Sequence, residues 1–228
     1  ALHGSQTVDV ANPVATHEYG IDLSKRSLGA ATEKYRELGT MANVSVFNRL
    51  GTLPTRNFRE STFEGAEQVS GEHLHQEHLA KNATCANCTI GCEKILVTSD
   101  DGKKSQGRME YESLFALGPL CGVDDPNTVI RAAGICDDLG MDTISAGVTI
   151  ARAMECFDKG LITADEARAI DLRFGNGQAL LDTLELIGHR RDLGSVLAEG
   201  TKSAAQQLGG GSGDWARNVK GLEMPGYE

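Results

Sequence analysis

The sequence predicts a mostly α fold, a multihelical, bundle-like domain with at most short strands. From Asp124 onward, apolar residues recur at helical spacing between residues that start and stop helices. No internal repeat and no βαβ alternation is found along the 228 residues. Hydrophobic residues make up 40% of the chain and aromatic residues only 5%, which suits helices joined by tight turns.

The part before Asp124 is predicted to hold fewer regular elements. A strand-like run at 7–10 precedes a helical pattern over 22–39. Residues 51–65 are predicted to be an extended loop, because proline at position 54 disfavours helix in the residue before it. Residues 70–81 favour a short exposed helix, and 100–102 favour a turn between two short strands.

Helices are predicted to dominate the rest of the chain. Asp125 followed by Pro126 signals a helix start, since a capping side chain and then proline suit the first turn. This helix is predicted to stop at Gly140, and a second helix covers 143–160.

Residues 163–166 (TADE) form a capping-box pattern, which predicts a third helix. Leucine spacing predicts a fourth helix around 180–187 and a fifth over 193–208. The run GGGSG at 209–213 is predicted to be a mobile connection to a new unit.

Charge and composition exclude several classes of function. A formal net charge of −10 disfavours sequence-independent binding to nucleic acid. There is no apolar run long enough for a membrane span and no basic-then-apolar leader. Six cysteines in such a chain are expected to be reduced thiols, so the predicted location is cytoplasmic. Both chain ends fall in sequence predicted to be folded, and we expect a segment of a longer protein.

Three cysteines, Cys85, Cys88 and Cys92, lie within eight residues of one another in TCANCTIGCEK. This C-x2-C-x3-C spacing lets each sulfur reach one iron of a cubane cluster. Zinc is the second possibility, but it usually requires another pair of ligands at comparable spacing, and the chain has no second CxxC. The nearest histidines do not form HExxH and are expected to lie on a solvated helix face: His73, His75 and His78.

The remaining three cysteines are candidates for a fourth ligand. Cys136 and Cys156 fall on apolar helix faces, where a cysteine usually acts as a small hydrophobic residue. Cys121, in GPLCGV, is predicted to lie in a loop and is the better candidate. The spacing alone leaves it open.

Several ordered stretches resemble the tungsten-containing aldehyde:ferredoxin oxidoreductases. They are GTLPTRNF, CANCTIGC, MEYESLFALGPLCGVDD, CDDLGMDTISAGVTIARAMECFDKGLI and VKGLEMPGYE, and they cover the chain from about Tyr35 to its end. The resemblance implies that 1–208 is the family's middle helical domain and that 209–228 is a linker and the truncated start of the third domain. The family's β-rich N-terminal domain would lie outside the chain.

The resemblance also implies a cluster site. Cys85, Cys88 and Cys92 would be three ligands of a [4Fe–4S] cluster. The family's fourth cysteine belongs to a second D-x-x-G-L-C/D motif in the third domain, beyond the end of this chain. Cys121 takes a position that the family does not use as a ligand.

The first copy of that motif is DDLGMD, which implies a site for a tungsten (or molybdenum) bis-pterin only partly bound by this segment. Asp137, Gly140 and Asp142 match the motif, and Thr143 follows at a helix start. Carboxylates placed by a glycine turn can accept hydrogen bonds from pterin N–H groups. Without the resemblance, the two aspartates would be interpreted as a helix-end charge and a helix cap.

Glu112 matches an acidic residue close to the tungsten in the family, and Glu110 is a weaker candidate. Such a carboxylate could act as a general acid or base if burial raises its pKa towards neutrality. Without the resemblance, both would be interpreted as charges at a strand edge. The residues that match a metal site at the dimer interface of some members are Arg131 and Gly134, so any homo-oligomer is expected to lack that metal.

The function implied is oxidation of an aldehyde to a carboxylic acid, with electrons leaving one at a time through the cluster to ferredoxin. The cofactor supplies the redox chemistry and the protein positions it. Two alternatives remain. One is a catalytic subunit of a relative with a different substrate, and the other is a non-catalytic iron–sulfur or zinc-stabilised helical module.

Overall fold

The computed structural model describes residues 9–100 and 103–227. The helices are α1 (Pro13–Ser27), α2 (Glu33–Leu38), α3 (Asn43–Leu50), α4 (Gly71–His78), α5 (Tyr111–Leu117), α6 (Pro126–Leu139), α7 (Thr143–Asp158), α8 (Gly177–Gly188), α9 (Leu193–Leu197) and α10 (Thr201–Leu208). The strands are β1 (Leu79–Ala83), β2 (Glu93–Asp100), β3 (Lys103–Met109), β4 (Asn218–Val219) and β5 (Leu222–Glu223). The prediction of a mostly α fold with short strands is confirmed.

The core is centred on α7, in which every residue from Ala146 to Cys156 is buried. Helix α5 packs against α7, while α6 packs against α8 and against β3. The α5–α7 contact is close because Gly147 has no side chain. A Cβ atom there would lie 2.4 Å from the carbonyl oxygen of Ala116. Close contact between these two helices places the first turn of α5 beside the start of α7.

An antiparallel sheet in the order β1-β2-β3 covers the outer side of α6. Residues 84–92, which hold the three clustered cysteines, connect β1 to β2. The pairing of Ala83 with Glu93 closes this loop at its base. Strands β2 and β3 form the predicted hairpin, whose tip at 101–102 lies outside the described residues. No helix in the described part of the chain has the length and apolar character that a membrane crossing requires.

Two of the predicted starts and stops are confirmed at α6. Asp125 is its N-cap and accepts a hydrogen bond from the Thr128 N–H at 2.9 Å, with Pro126 in the first turn. Gly140 ends the helix in the left-handed conformation, with φ 68° and ψ 35°. Helix α1 begins nine residues earlier than the predicted 22–39, and a 3-10 turn at Ala30–Thr32 separates it from α2. Residues 9 and 10 of the strand-like run are not in a strand, and residues 7 and 8 are outside the described part.

The predicted third helix is wrong. The capping-box bond forms, since the Thr163 N–H donates to Glu166 Oε2 at 2.8 Å, but only hydrogen-bonded turns follow. Arg168 and Ala169 have φ values of 53° and 61°, which a right-handed helix does not accommodate. A capping pair supplies hydrogen-bond partners for the backbone N–H groups of the first turn. It does not extend the helix unless an apolar face packs against the rest of the protein.

The predicted fifth helix is divided in two. Gly200 has φ +83°, and this left-handed residue separates α9 from α10. Residues 209–213 are attached more closely than a mobile connection would be. Ser212 is buried, and its hydroxyl donates to the carbonyl oxygen of Ala205 at 3.1 Å. The domain boundary at 208/209 stays a prediction.

Candidate functional site

Glu112 lies in the first turn of α5, not at a strand edge. Its Oε2 accepts a hydrogen bond from the Gly226 N–H at 2.8 Å, which fixes the orientation of the carboxyl group. Its Oε1 is buried and has no partner among the described residues. Burial raises the pKa of Glu112 and the charge of Asp142 raises it further, while the backbone N–H groups of Gly226 and Tyr227 act in the opposite direction. Glu112 is therefore a carboxyl group with one fixed oxygen and one available oxygen.

The segment that holds Glu112 comes from the end of the described chain. The hydroxyl of Tyr111, which is fully buried, donates to the Gly226 carbonyl oxygen at 2.9 Å. The rings of Tyr111 and Tyr227 lie 4.6 Å apart, and Phe47 contacts both rings edge-on. Asn43 donates its amide N–H to the Tyr227 hydroxyl at 2.8 Å. This aromatic cluster anchors 226–227 over α5.

The DDLGMD turn lies between α6 and α7. Asp142 is the N-cap of α7, and its Oδ2 accepts from the Ser145 N–H at 2.7 Å. The Thr143 hydroxyl lies 2.9 Å from that of Ser113, next to Glu112 in the chain, so the turn is attached to α5. The interpretation of Asp142 as a helix cap is confirmed, and a carboxylate has a second oxygen for a ligand.

Asp137 is placed differently, on the side of α6 that faces the sheet. Its Oδ2 accepts from the Arg108 N–H of β3 at 3.4 Å. Asp137 lines a depression between β3 and α6 together with Lys104 and Gln106. Gly134 lines it too, and a Cβ there would lie 2.4 Å from the carbonyl oxygen of Gln106. A histidine side chain would therefore not fit at position 134 without moving the strand.

Asp142 lines a separate cavity of about 190 Å³ between α7, α8 and the end of α9. Ser145 and Thr149 supply further polar lining, while Ile187 and Leu197 supply apolar lining. The Thr149 hydroxyl is buried and has no partner among the described residues. A polar ligand with hydrogen-bonding edges and an apolar ring fits such a lining.

Glu223 of β5 braces the same region. Its Oε2 accepts from the Ser145 hydroxyl at 2.8 Å, and its Oε1 accepts from the Thr201 N–H at 2.7 Å. One carboxylate therefore connects α7, α10 and the C-terminal segment. This bridge keeps the chain end close to Asp142 as well as to Glu112.

The cysteine loop, residues 84–92, holds its thiols near the surface. Cys85 is exposed, Cys88 and Cys92 are half-buried, and all three are free. The Cys88 N–H donates to the Cys85 carbonyl oxygen at 3.1 Å, and the Ile90 N–H donates to Cys88 Sγ at 3.5 Å. Burial raises the pKa of Cys92, and the charges of Glu110, Cys88 and Cys85 act in the same direction.

The three thiols do not converge on one point in the described structure. In the described ranges, no three or more His, Cys, Asp or Glu side chains are gathered closely enough to hold one metal ion. In a cubane each cysteine binds a different iron, so the sulfurs surround the group without converging on one point. The backbone N–H of Ile90 already points at Cys88 Sγ.

Lys94, at the start of β2, is buried beneath this loop. Its ammonium group donates to the carbonyl oxygens of Arg36 and Gly91 at 2.7 and 3.1 Å, and to Asn82 Oδ1 at 3.0 Å. Burial lowers the pKa of Lys94, and the Cys92 sulfur has the opposite, smaller effect.

Residues 39–40 touch both regions. A Cβ at Gly39 would lie 2.3 Å from the Cys92 carbonyl oxygen, and the adjacent Thr40 hydroxyl accepts from the Tyr111 N–H at 2.9 Å. The cysteine loop and the Glu112 site are therefore direct neighbours.

Comparison with known proteins identifies the family. A family profile described as "Aldehyde ferredoxin oxidoreductase, domains 2 & 3" matches residues 21–228. The chain belongs to this family. A tungsten-containing aldehyde ferredoxin oxidoreductase of Thermococcus kodakarensis is 40% identical over 201 residues, which is 88% of this chain and 32% of that protein. The Pyrococcus furiosus protein of the same name is 35% identical over 234 residues, or 100% of this chain and 38% of that protein.

The chain thus spans about a third of the length of the curated relatives it matches. A more distant relative is the "Aliphatic sulfonate oxidoreductase, WOR-like subunit" of Pyrococcus furiosus, at 27% identity over 85% of this chain and 30% of that protein. Among solved structures, the active site complex BamBC of benzoyl coenzyme A reductase matches with a TM-score of 0.67 and 22% identity. The match covers 84% of this chain and 28% of that one, and it shows a shared fold.

In this member of the aldehyde ferredoxin oxidoreductase family, the structure brings together some of the predicted site residues. Glu112, Asp142 and Thr143 are adjacent, with the cysteine loop beside them, while Asp137 faces β3. Gly140 forms the turn between the two aspartates and has open space around it. Cys121, the internal candidate for a cluster ligand, is buried between α5 and α7, where its thiol contacts the Ala116 carbonyl oxygen at 3.4 Å.

Sequence reasoning missed the roles of Gly226, Tyr227 and Lys94. VKGLEMPGYE contributed to the resemblance, but nothing in its composition connects it to Glu112, more than a hundred residues earlier. A lysine two residues after a cysteine is likewise an ordinary strand residue until its burial is known. Cys136 and Cys156 are buried, as their apolar helix faces predicted, and burial raises the pKa of Cys136 to about 12.

Proposed function

We propose that this chain forms the helical part of a cytoplasmic enzyme that oxidises aldehydes to carboxylic acids. The reaction would take place at a tungsten (or molybdenum) bis-pterin, and the electrons would pass through a [4Fe–4S] cluster to ferredoxin. One observation carries the proposal: a carboxyl group of raised pKa, Glu112, lies between the turn that holds Asp142 and the loop that holds three free cysteines. The names of the 35–40% identical relatives support tungsten.

When bound, the metal–pterin group would supply the two-electron chemistry. Conversion of an aldehyde and water to a carboxylic acid releases two protons and two electrons, so a proton acceptor is needed near the substrate. Glu112 fits this role because its Oε1 has no other partner among the described residues. Its raised pKa brings proton exchange closer to neutral pH, where a general acid–base group is most effective.

The remaining residues bind and orient. Gly226 holds Glu112 Oε2, so that rotation of the carboxyl group does not remove Oε1 from the site. Asp142 can cap α7 with one oxygen and accept a pterin N–H with the other, and Thr149 offers a buried hydroxyl in the same cavity. Asp137 would reach a pterin only from the side of α6 that faces β3. Cys85, Cys88 and Cys92 would each bind one iron, and we expect the fourth ligand from outside residues 1–228.

The full-length protein that contains this chain tests the proposal. Purified without oxygen, it should hold about four irons and one tungsten or molybdenum per chain. It should also reduce ferredoxin in an aldehyde-dependent reaction. Stoichiometric zinc with no iron would contradict the proposal.

Paired variants separate an enzyme from an electron-transfer or zinc-stabilised module. E112Q and D142N should both lower aldehyde oxidation while iron is retained, because neither side chain belongs to the cysteine loop. Unchanged function in both variants would favour the module. Activity on sulfonates or thioesters but on no aldehyde would assign the chain to a relative with another substrate.

A further inference from the structure

Lys94 is an unusual side chain to find in a protein interior. It is 0% exposed, and its three hydrogen-bond acceptors are all uncharged: two carbonyl oxygens and one amide oxygen. A lysine amine donates three hydrogen bonds only when it is protonated, since the neutral form has two N–H groups. The geometry therefore indicates a buried ammonium ion whose direct contacts among the described residues do not include a carboxylate.

Such an ion is costly without a counter-charge. A buried cation loses its hydration, and neutral oxygens compensate for only part of that loss. Carboxylates are the usual partners of buried lysines, but here the direct contacts belong to the backbone of α2, to β1 and to the cysteine loop itself. A source of negative charge close to that loop would resolve the imbalance.

The position of Lys94 identifies that source. One of its acceptors is the carbonyl oxygen of Gly91, the residue immediately before Cys92. A Cβ at Gly39 would meet both the Cys92 carbonyl oxygen at 2.3 Å and the Lys94 side chain at 3.2 Å, so the two residues pack against the same point. Thiols must lose their protons when they bind metal, so ligand binding brings negative charge to this loop.

We propose that Lys94 is a positioning residue for the iron–sulfur cluster and its built-in counter-charge. Its ammonium ion ties the cysteine loop to α2 and β1 and offsets part of the negative charge of the thiolates and the cluster. A cluster beside a fixed cation accepts an electron more readily, so Lys94 makes the reduction potential less negative. This inference rests on the proposed function, since it requires that the cluster is present.

The first test compares charge and size at position 94 in the full-length protein, purified without oxygen. K94M removes the charge and keeps the length of the side chain, and K94R keeps the charge. K81M is the matched control, because Lys81 is an exposed lysine of β1 in the same sheet. Iron content and the midpoint potential from an EPR-monitored redox titration are measured for each. We expect a more negative potential in K94M, and potentials close to wild type in K94R and K81M.

The second test leaves Lys94 in place, in case K94M does not fold or does not retain iron. N82D keeps an oxygen acceptor for the ammonium group but adds a neutralising carboxylate. N82L removes the acceptor and leaves the charge. We expect N82D to shift the midpoint potential to more negative values and N82L to keep the wild-type value.

The outcomes distinguish this inference from the proposed function. Wild-type protein without iron would overturn the cluster assignment itself. Wild-type iron content with an unchanged potential in K94M and N82D would overturn only the role of Lys94. An equal shift in N82L and N82D would show that the hydrogen bond matters and the charge does not, which also contradicts the inference.

Discussion

Glu112 lies in the first turn of a helix in which five of seven residues are buried, whereas Cys85, Cys88 and Cys92 lie on a loop without helix or strand. The carboxyl group of Glu112 is held by the buried Gly226 N–H, and its helix α5 packs against α7 in the core. The thiols are fixed at the ends of their loop, by the β1–β2 pairing and by Lys94. The carboxylate site is therefore formed by the fold alone, whereas we propose that the charge balance of the cysteine loop is completed by its cluster.

The largest expected effect comes from replacing a cysteine of the cysteine loop. Cys85→Ser removes a proposed iron ligand on an exposed segment, so the full-length protein should lose its cluster and essentially all aldehyde-dependent ferredoxin reduction. Its thermal stability should fall only by what the bound cluster contributes, because Cys85 itself is exposed and not part of the core. Iron analysis and calorimetry are the measurements.

The matched control for this change is Cys121→Ala. It alters a buried thiol between α5 and α7 and should destabilise the fold while iron is retained. Full iron in the Cys85 variant together with lost iron in the Cys121 variant would reverse the assignment of ligands.

The next largest effect tests the carboxylate side. Glu112→Gln should lower kcat/KM for an aldehyde by about 10²–10⁴-fold, because it removes a proton-transfer group. Iron content should stay at the wild-type value. Glu110→Gln is the control, since Glu110 is exposed at the start of the same helix. Equal losses in both variants would indicate a general charge effect in place of a specific role for Glu112.

Gly226→Ala tests whether the position of residue 226 determines the orientation and the pKa of Glu112. A Cβ there would lie 2.7 Å from Phe115 Cγ and 3.0 Å from Tyr111 Cε1, so the segment must move, at a cost of about 1–3 kcal/mol. Movement weakens the hydrogen bond from the Gly226 N–H to Glu112 Oε2. That hydrogen bond stabilises the charged form of Glu112. The pKa of Glu112 should rise further, and the pH–rate profile should shift to higher pH. Gly213→Ala, with open space around the new Cβ, should leave the profile unchanged.

Asp142 and Asp125 provide a pair of helix caps with different surroundings. Each accepts a backbone N–H at the start of a helix, so replacement by alanine should lower the free energy of unfolding by about 1 kcal/mol in either case. Only Asp142→Ala should also reduce the pterin content, measured by release and fluorescence of the oxidised pterin. Equal pterin content in the two variants would limit Asp142 to its capping role.

The smallest expected effect is the pH dependence of stability that arises from Glu112. Burial raises its pKa in the folded state above the ordinary value of 4.5, so the folded protein binds this proton more tightly than the unfolded chain does. The contribution to stability is therefore complete below pH 4.5 and is lost as the pH rises through the folded-state pKa. The difference in unfolding free energy between wild type and Glu112→Gln should decrease over that range. A flat difference would show that the site does not shift the pKa.

Several features of this fold follow from short-range chemistry, and the sequence was enough to predict them. Asp125, Pro126 and Gly140 set the bounds of α6 through a cap, a fixed φ and a left-handed turn. The cysteine spacing alone placed three thiols on one loop. The same kind of reasoning failed at 163–166, where the capping bond formed without a helix, because helix length depends on packing that the local pattern does not contain.

The sequence by itself therefore determined the helical class, the start and stop of α6, and the group of residue types that could hold a metal cluster and a pterin. Only the tertiary structure decided which of them meet. Gly226 lies over Glu112, and Lys94 is buried under the cysteine loop. Asp142 lines the cavity between α7 and α8, whereas Asp137 lines the depression between β3 and α6. Burial and hydrogen bonding between residues more than a hundred positions apart, such as Glu112 and Gly226, set pKa values, and no local pattern encodes contacts at that range.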